Sequence, residues 1–157
     1  MASELRVDKI IPVDGVPSSG GGGIVQIVKG GSNTRLNRGN NTGTYYNTYV
    51  NATITPKFNT SKILITLNLL LEVRSASIVA IELTRGGSSI FTNEGGLRAN
   101  ESANGGYLTF SYLDSPASTS ALTYGVQTRS SNGDYTFNNY IGGGPANSFM
   151  TLMEVSA

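Results

Sequence analysis

Residues 62–73, which read KILITLNLLLEV, constrain the fold more than any other stretch of the chain. Every odd-numbered position from 63 to 73 is Ile, Leu or Val, and the even-numbered positions include Thr66, Asn68 and Glu72. A period of two puts all the apolar side chains on one face of a β-strand, whereas a helix would spread them around its circumference. The stretch therefore predicts a long, half-buried strand.

Shorter alternating stretches carry glycine turns between them. IVAIELTRGGSSIFT (78–92) alternates, breaks at 85–87 and resumes, which predicts a hairpin with glycines where the backbone needs a positive φ. LTYGVQTRSSNGDYTFN (122–138) breaks at Asn132-Gly133, and Asn-Gly is the strongest short hairpin signal. Tyr135 and Phe137 are therefore predicted on the return strand of that second hairpin.

The whole pattern predicts an all-β protein. Residues 24–156 contain about nine strand-like segments with turn signals between them and no convincing helix. The final stretch FMTLMEVSA is expected to be a strand inside the sheet, and KGGSNTRLNRGNNTG (29–43) is expected to be a long polar loop. This favours an antiparallel β-sandwich of jelly-roll type with about eight strands in two sheets, in an order that the sequence leaves open.

The segment ahead of these strands looks separable from them. ELRVDKIIPVDGVPSS is apolar enough to need a partner, but glycines join it to the strand IVQIV where a tight turn would serve a core element better. We therefore divide the chain into an extended anchoring arm (1–19), a glycine linker (20–23) and a β-sandwich domain (24–157). The apolar residues of the arm are Leu5, Val7, Ile10, Ile11, Val13 and Val16, and the linker is Gly20, Gly21, Gly22 and Gly23.

Composition argues against several classes of function. The net charge is +1 with 13% charged residues, so the chain lacks the basic excess of a nucleic-acid binder or a membrane-surface segment. Histidine and cysteine are absent, which removes the usual general base, the centre of most catalytic triads and the commonest metal ligands. We expect no enzymatic activity, no catalytic residue, no metal and no cofactor. The start MASELRVDK has no apolar signal-peptide core, so synthesis in the host cytoplasm is expected.

One cluster of basic and aromatic residues is a candidate ligand loop. Arg35 and Arg38 lie in the long polar stretch, and Tyr45 and Tyr46 follow it. This set has the chemistry to grip a sugar or a phosphate, although arginines in a Gly/Asn loop are more often simply solvated. The later tyrosines are expected at the rim of the sandwich or at a subunit interface: Tyr107, Tyr112, Tyr124, Tyr135 and Tyr140.

The arm SELRVDKIIPVDGVPSSGGGGIVQIV resembles the N-terminal arm of small virion structural proteins of tailed bacteriophages, notably marine and cyanobacterial ones. The resemblance continues through ITPKFNTSKILITL, ELTRGGSSI, LDSPASTSALTYGVQTRSSNG and TLMEVSA, and so covers most of the chain. It implies a tail-fibre-like virion component with a β-sandwich body, commonly a homotrimer, without catalytic residues. The stretch GGSNTRLNRGNNTGTYY departs from the family pattern, at a place where host contact can vary.

The leading hypothesis is a non-enzymatic protein on the phage exterior, either a capsid decoration protein or a short head fibre, anchored in the virion through its arm. Its expected partners are copies of itself and other virion proteins such as capsid or tail subunits, with no nucleic acid and no membrane. The alternative is a tail-fibre or receptor-binding protein that recognises host surface glycans through the candidate ligand loop. A carbohydrate-active enzyme is the third hypothesis, from a different class.

Overall fold

A computed structural model describes residues 23–38, 43–73, 77–99, 104–131, 134–138 and 146–156. The predicted arm and three of the four linker glycines lie outside these ranges. In the described ranges no helix is long and apolar enough to span a membrane. The strands are β1 (Ile24–Ser32), β2 (Leu36–Arg38), β3 (Tyr46–Ile54), β4 (Lys62–Val73), β5 (Ser77–Arg85), β6 (Ser88–Ala99), β7 (Asn104–Asp114), β8 (Leu122–Ser130), β9 (Tyr135–Phe137) and β10 (Ser148–Val155).

The strands form two antiparallel sheets. In sheet A, β4 pairs with β7 along one edge and with β10 and the short β9 along the other. β1 then pairs with β10, and β2 pairs with β9. Sheet B has the order β3-β8-β5-β6. The expected all-β sandwich is therefore confirmed.

The strand order is that of a jelly roll. Without the two three-residue strands β2 and β9, sheet A reads β1-β10-β4-β7 and sheet B reads β3-β8-β5-β6. When the eight long strands are counted in chain order, these are the orders 1-8-3-6 and 2-7-4-5. This is the arrangement in which two Greek keys wrap around one core.

The core consists of the inner faces of the two sheets. The alternation in β4 predicts it correctly, because the odd-numbered residues 63–73 are at most 1% exposed and the even-numbered ones are partly exposed. Val79, Ile81 and Leu83 of β5 cover them from sheet B and are fully buried. Each such aliphatic side chain stabilises the fold by about 1.5–3 kcal/mol through burial.

Of the two predicted hairpins, the structure confirms one and contradicts the other. The Gly86-Gly87 hairpin is confirmed, with φ of 57° and 84° at its two turn residues and Arg85 paired with Ser88. The second hairpin is wrong in its pairing, because β9 leaves sheet B and joins β4 and β2 in sheet A. Tyr135 and Phe137 are 1% exposed there, and β8 has no edge left for them because it pairs with β3 on one side and β5 on the other.

The polar stretch 29–43 is not a continuous loop. β1 extends to Ser32, and β2 pairs with β9 inside the same stretch. Among the later tyrosines, Tyr124 and Tyr135 are core residues at 0% and 1% exposure, so a rim position is wrong for both. Tyr107 is 60% exposed and fits the rim, and Tyr112 is partly buried.

A partly buried ion pair joins the two sheets beside the core. Asp114, at the end of β7 in sheet A, accepts hydrogen bonds of 2.7 Å from both the Arg85 guanidinium and the Tyr124 hydroxyl of sheet B. Burial, together with the carboxylate, strongly raises the pKa of Tyr124 above its ordinary value, so its hydroxyl stays protonated and donates.

We expect Leu69→Ala in β4 to lower the free energy of unfolding by about 2–5 kcal/mol, because it opens a cavity at a fully buried position. Leu113→Ala in β7 is the matched control. Its side chain is 50% exposed, so we expect a change below about 0.5 kcal/mol. Urea unfolding followed by circular dichroism measures both. Equal losses for the two variants would contradict the assigned core.

We expect Asp114→Ala to cost about 1.5–3 kcal/mol, because it leaves the Arg85 and Tyr124 donors without their acceptor. The same measurement on Asp134→Ala, an exposed position ahead of β9, should show a change within about 0.5 kcal/mol. A loss of stability no larger than that of the control would mean that the hydrogen bonds of Asp114 to Arg85 and Tyr124 contribute nothing to stability.

Candidate functional site

The candidate ligand loop is only partly brought together. Arg38 lies in β2 with its guanidinium 5.1 Å from the centre of the Tyr46 ring, and it donates a 3.4 Å hydrogen bond to the Asn47 carbonyl. Arg35 is exposed just before β2. This cation–π contact joins Arg38 to Tyr46, so each of the two side chains already has a partner within the protein.

Tyr45 belongs to a second, separate group. Its hydroxyl donates a 2.9 Å hydrogen bond to Glu94 of β6, and the Arg129 guanidinium of β8 lies 5.1 Å from the centre of its ring. Arg129 also pairs with Glu94. Burial and the Glu94 carboxylate raise the pKa of Tyr45, against the opposing effect of Arg129, so the hydroxyl remains a donor.

Sequence reasoning missed Arg129 and Glu94 as partners of Tyr45. The period-two alternation in β8 is the signal that places Arg129 on the outer face, because its alternate residues 124, 126, 128 and 130 are buried. The pairing with Glu94 depends on β6 lying two strands away in sheet B. No local pattern in the sequence carries that information.

An exposed tyrosine stands on the edge of sheet B. Tyr49 is 52% exposed and has a φ of 61°, where the β3–β8 register shifts between Asn47 and Asn51. Its N–H donates to the Asn47 side chain at 2.6 Å. A bulge of this kind turns an edge strand away from continued pairing and displays one side chain outward.

The outer face of sheet A carries an apolar row across all four of its long strands. The register aligns Ile27 of β1 with Met153 of β10, Met153 with Leu64 of β4, and Leu64 with Leu113 of β7. Ile27 and Leu113 are 58% and 50% exposed, and the two central residues are partly exposed. The next row in register is polar, with Lys29, Thr151, Thr66 and Ser111.

A shallow depression of about 470 Å³ borders this face where β1 ends and β10 begins. Its lining includes Lys29, Gly31, Asn147 and Phe149, and the Lys29 ammonium lies 4.8 Å from the centre of the Phe149 ring. Within the described ranges, no three His, Cys, Asp or Glu side chains are grouped to hold a metal ion.

The two open sides of the sandwich differ. On one side β1 packs against β3 so closely that a Cβ on Gly30 would lie 1.9 Å from the Asn51 carbonyl oxygen. On the other side, between β6 and β7, six apolar side chains pack against the core but stay only partly buried. We call this group the β6/β7 seam: Ile90, Phe91, Leu97, Leu108, Phe110 and Tyr112.

Aromatic contacts form the centre of the β6/β7 seam. The Phe91 ring centre lies 5.6 Å from that of Phe110 and 5.3 Å from that of Tyr112, both tilted. The Tyr112 hydroxyl donates to the Ile90 carbonyl at 3.2 Å. The seam therefore presents partly exposed apolar surface next to the edge of β7 with which no described strand pairs.

Gly23 is hydrogen-bonded to the sandwich body. Its N–H donates to the Ser156 hydroxyl at 3.1 Å, and its carbonyl accepts from the Ser156 N–H at 3.0 Å. Just inside, the buried Glu154 carboxylate accepts hydrogen bonds from the Gln26 side chain at 2.6 Å and the Lys57 N–H at 2.7 Å. Through these hydrogen bonds the carboxylate holds the start of β1 in place, where the arm joins the body.

Burial alone would raise the pKa of Glu154, but the hydrogen bonds from Gln26 and from the backbone of Lys57 and Phe58 outweigh it and lower the pKa. A carboxyl group with a lowered folded pKa stabilises the fold above its unfolded pKa of about 4.3. That contribution is lost as the pH falls through the folded pKa.

We expect Glu154→Gln to be less stable than the unmodified chain at pH 7 and to lose less further stability between about pH 5 and pH 3. Glu82→Gln, at a partly exposed position on β5, should keep the steeper acid loss of the unmodified chain. Urea unfolding across this pH range measures the difference. If the free energy of unfolding fell with pH equally for Glu154→Gln and the unmodified chain, the stabilising role of the Glu154 carboxylate would be contradicted.

No family model matches the chain, and no curated protein matches it. Solved structures do match. One is a chain in the structure of infectious bursal disease virus Gx strain, with a TM-score of 0.47 and 10% identity, covering 99% of this chain and 44% of that one. Another is dimeric latent PorU from Porphyromonas gingivalis, with a TM-score of 0.41 and 12% identity, covering 88% of this chain and 14% of that one.

This chain therefore spans less than half the length of either matched structure. At these identities and TM-scores the likenesses assign neither a family nor a function to it.

Proposed function

We propose that the chain is a non-enzymatic structural protein on the exterior of a virus particle, either a capsid decoration protein or a short head fibre, joined to the assembly through the arm. The observation that carries the proposal is the placement of apolar surface on the jelly-roll body. It is gathered in the row across sheet A and in the adjacent β6/β7 seam.

Contiguous apolar surface with polar residues beside it is typical of protein–protein contacts. The row ends in Ile27 and Leu113, each at least half exposed, and the next row in register is polar. Jelly rolls serve as viral capsid domains and as lectins, so the fold alone does not choose between them. The apolar row favours the structural role, because it suits contact with protein better than contact with sugar hydroxyls.

The charge balance supports the same role. A net charge of +1 and 13% charged residues allow many copies of the chain to lie side by side with little mutual repulsion. The phage resemblance of the arm and of the strand sequences, stated above, points to a virion as the place of assembly.

A second candidate function is attachment to host glycans, and the exposed Tyr49 favours it. The bulge holds this ring 52% exposed at the edge of sheet B, with Asn47 and Asn51 on either side of it in β3. Aromatic faces beside amide groups suit sugar rings, which offer C–H groups and hydroxyls together. Arg38 and Tyr46 lie at the start of the same region.

Gold-labelled antibody against the body, imaged on purified particles of the source virus, tests the proposal. We expect label over the shell. We also expect a chain without residues 1–19 to fold, as judged by circular dichroism, and to be absent from particles. Label confined to the tail, together with binding on a glycan array that Tyr49→Ala abolishes, would favour the second candidate. Particles without any label would overturn both.

A further inference from the structure

The free edge of β7 is the most regular edge in the described part of the fold. β7 pairs with β4 through eleven consecutive residue pairs without a register shift. Shifts interrupt the pairing of the other long edge strands, at Asn47/Asn51 for β3, at Ile24/Gln26 for β1 and at two places for β6. Every second N–H and C=O group of β7 points away from β4.

The sequence of β7 does little to protect this edge, because its one charged residue, Asp114, is already bound by Arg85 and Tyr124. Natural proteins blunt edge strands with charges, prolines or bulges. Residues 104–113 read NGGYLTFSYL and contain no charge and no proline. On the outer face of the strand, Tyr107 is 60% and Leu113 is 50% exposed. On the other face, Leu108, Phe110 and Tyr112 form half of the partly buried β6/β7 seam.

We propose that residues 4–11 of a second copy add as a strand to the free edge of β7 and cover the β6/β7 seam. This inference deepens the assembly role proposed above and rests on it, because it names the acceptor for the arm. The main-chain groups of β7 supply the hydrogen bonds of strand addition, and the seam supplies apolar contacts for alternate side chains.

The sequence of the arm fits this acceptor. In an extended ELRVDKII, the odd-numbered positions hold Leu5, Val7 and Ile11 together with Lys9, and the even-numbered positions hold three charged residues together with Ile10. The mainly apolar face matches the seam, along which the Lys9 stem can lie while its ammonium reaches water, and the mainly charged face lies on the solvent side. The segment has eight residues against the eleven of β7, and Pro12 follows it, which ends pairing because proline has no N–H.

The arm of a second copy is favoured over the chain's own arm as the strand that adds to β7. The arm joins the body at β1, and β1 lies on the opposite side of sheet A from β7. Residues 12–23 separate the arm strand from β1 and include two prolines and a run of four glycines. A return to the same β7 would have to carry this polar, proline- and glycine-rich segment across the width of sheet A, whereas the extended segment spans up to about 40 Å and reaches a neighbouring molecule directly.

The absence of cysteine gives a clean background for cross-linking. One full-length chain carries Asp8→Cys, and a second, longer-tagged chain carries Thr109→Cys or Ser111→Cys, both exposed on the outer face of β7. The two chains are mixed, oxidised mildly and separated by mass on a denaturing gel. We expect the mixed disulfide dimer to form at least about tenfold faster than it does when the second chain carries Thr53→Cys instead. Thr53 is an exposed position on edge strand β3.

Adding Val7→Pro to the Asp8→Cys chain should abolish the cross-link, because proline removes an N–H from the added strand. Residue 7 precedes the sandwich body, so the circular dichroism of the body should not change. The conservative Val7→Thr should keep the cross-link.

Three results would overturn the proposal. The first is a cross-link that forms only in a chain carrying both cysteines and that gives a monomeric product. This result would mean that the arm pairs with β7 of its own chain. The second is an equal rate with Thr53→Cys. The third is a Thr109→Cys chain that dimerises alone as fast as the mixture, which means that β7 pairs with β7. Cross-linking without gold label on particles would refute the virion role alone.

Discussion

The central position of β4 is the constraint on which the rest of the structure depends. This strand is hydrogen-bonded along both edges, and the whole odd-numbered face of residues 63–73 is buried. A strand in that position requires partners on both sides and a second sheet over its apolar face, and the jelly-roll order supplies them from distant parts of the chain. β9 and β10 share one edge of β4, so the position of Tyr135 and Phe137 in sheet A also depends on this strand.

Period-two alternation predicts the strands and the core well, because one buried face dictates which side chains are apolar. It predicted β4 to the residue, the interior position of β10 and the Gly86-Gly87 turn. It failed where distant contacts decide. Asn132-Gly133 carries a strong hairpin signal, yet both edges of β8 are taken by β3 and β5, and the rings that follow are buried in the other sheet. The partnership of Asp114 with Arg85 and Tyr124 is likewise set by the packing of two sheets.

The candidate site shows the same limit. Arg38 and Tyr46 are close in sequence and meet in the structure, whereas Tyr45 meets Arg129 and Glu94, which no local pattern connects to it. The apolar row of sheet A is invisible in the sequence for another reason. It depends on the register between four strands, and a shift of one residue in any of them would send its member to the opposite face. Assembly surfaces of sheets are therefore harder to predict than their cores.

The place of β10 between β1 and β4 has a consequence for how the molecule folds. Ile24 and Val155 are neighbours in sheet A although 130 residues separate them along the chain, and β1 reaches β4 only through β10. Sheet A therefore stays incomplete until β10 has been synthesised, and long-range pairings of this kind fold slowly, on the order of milliseconds to seconds. During that interval the β4–β7 ribbon can already form, so an edge able to accept a strand exists before the body closes.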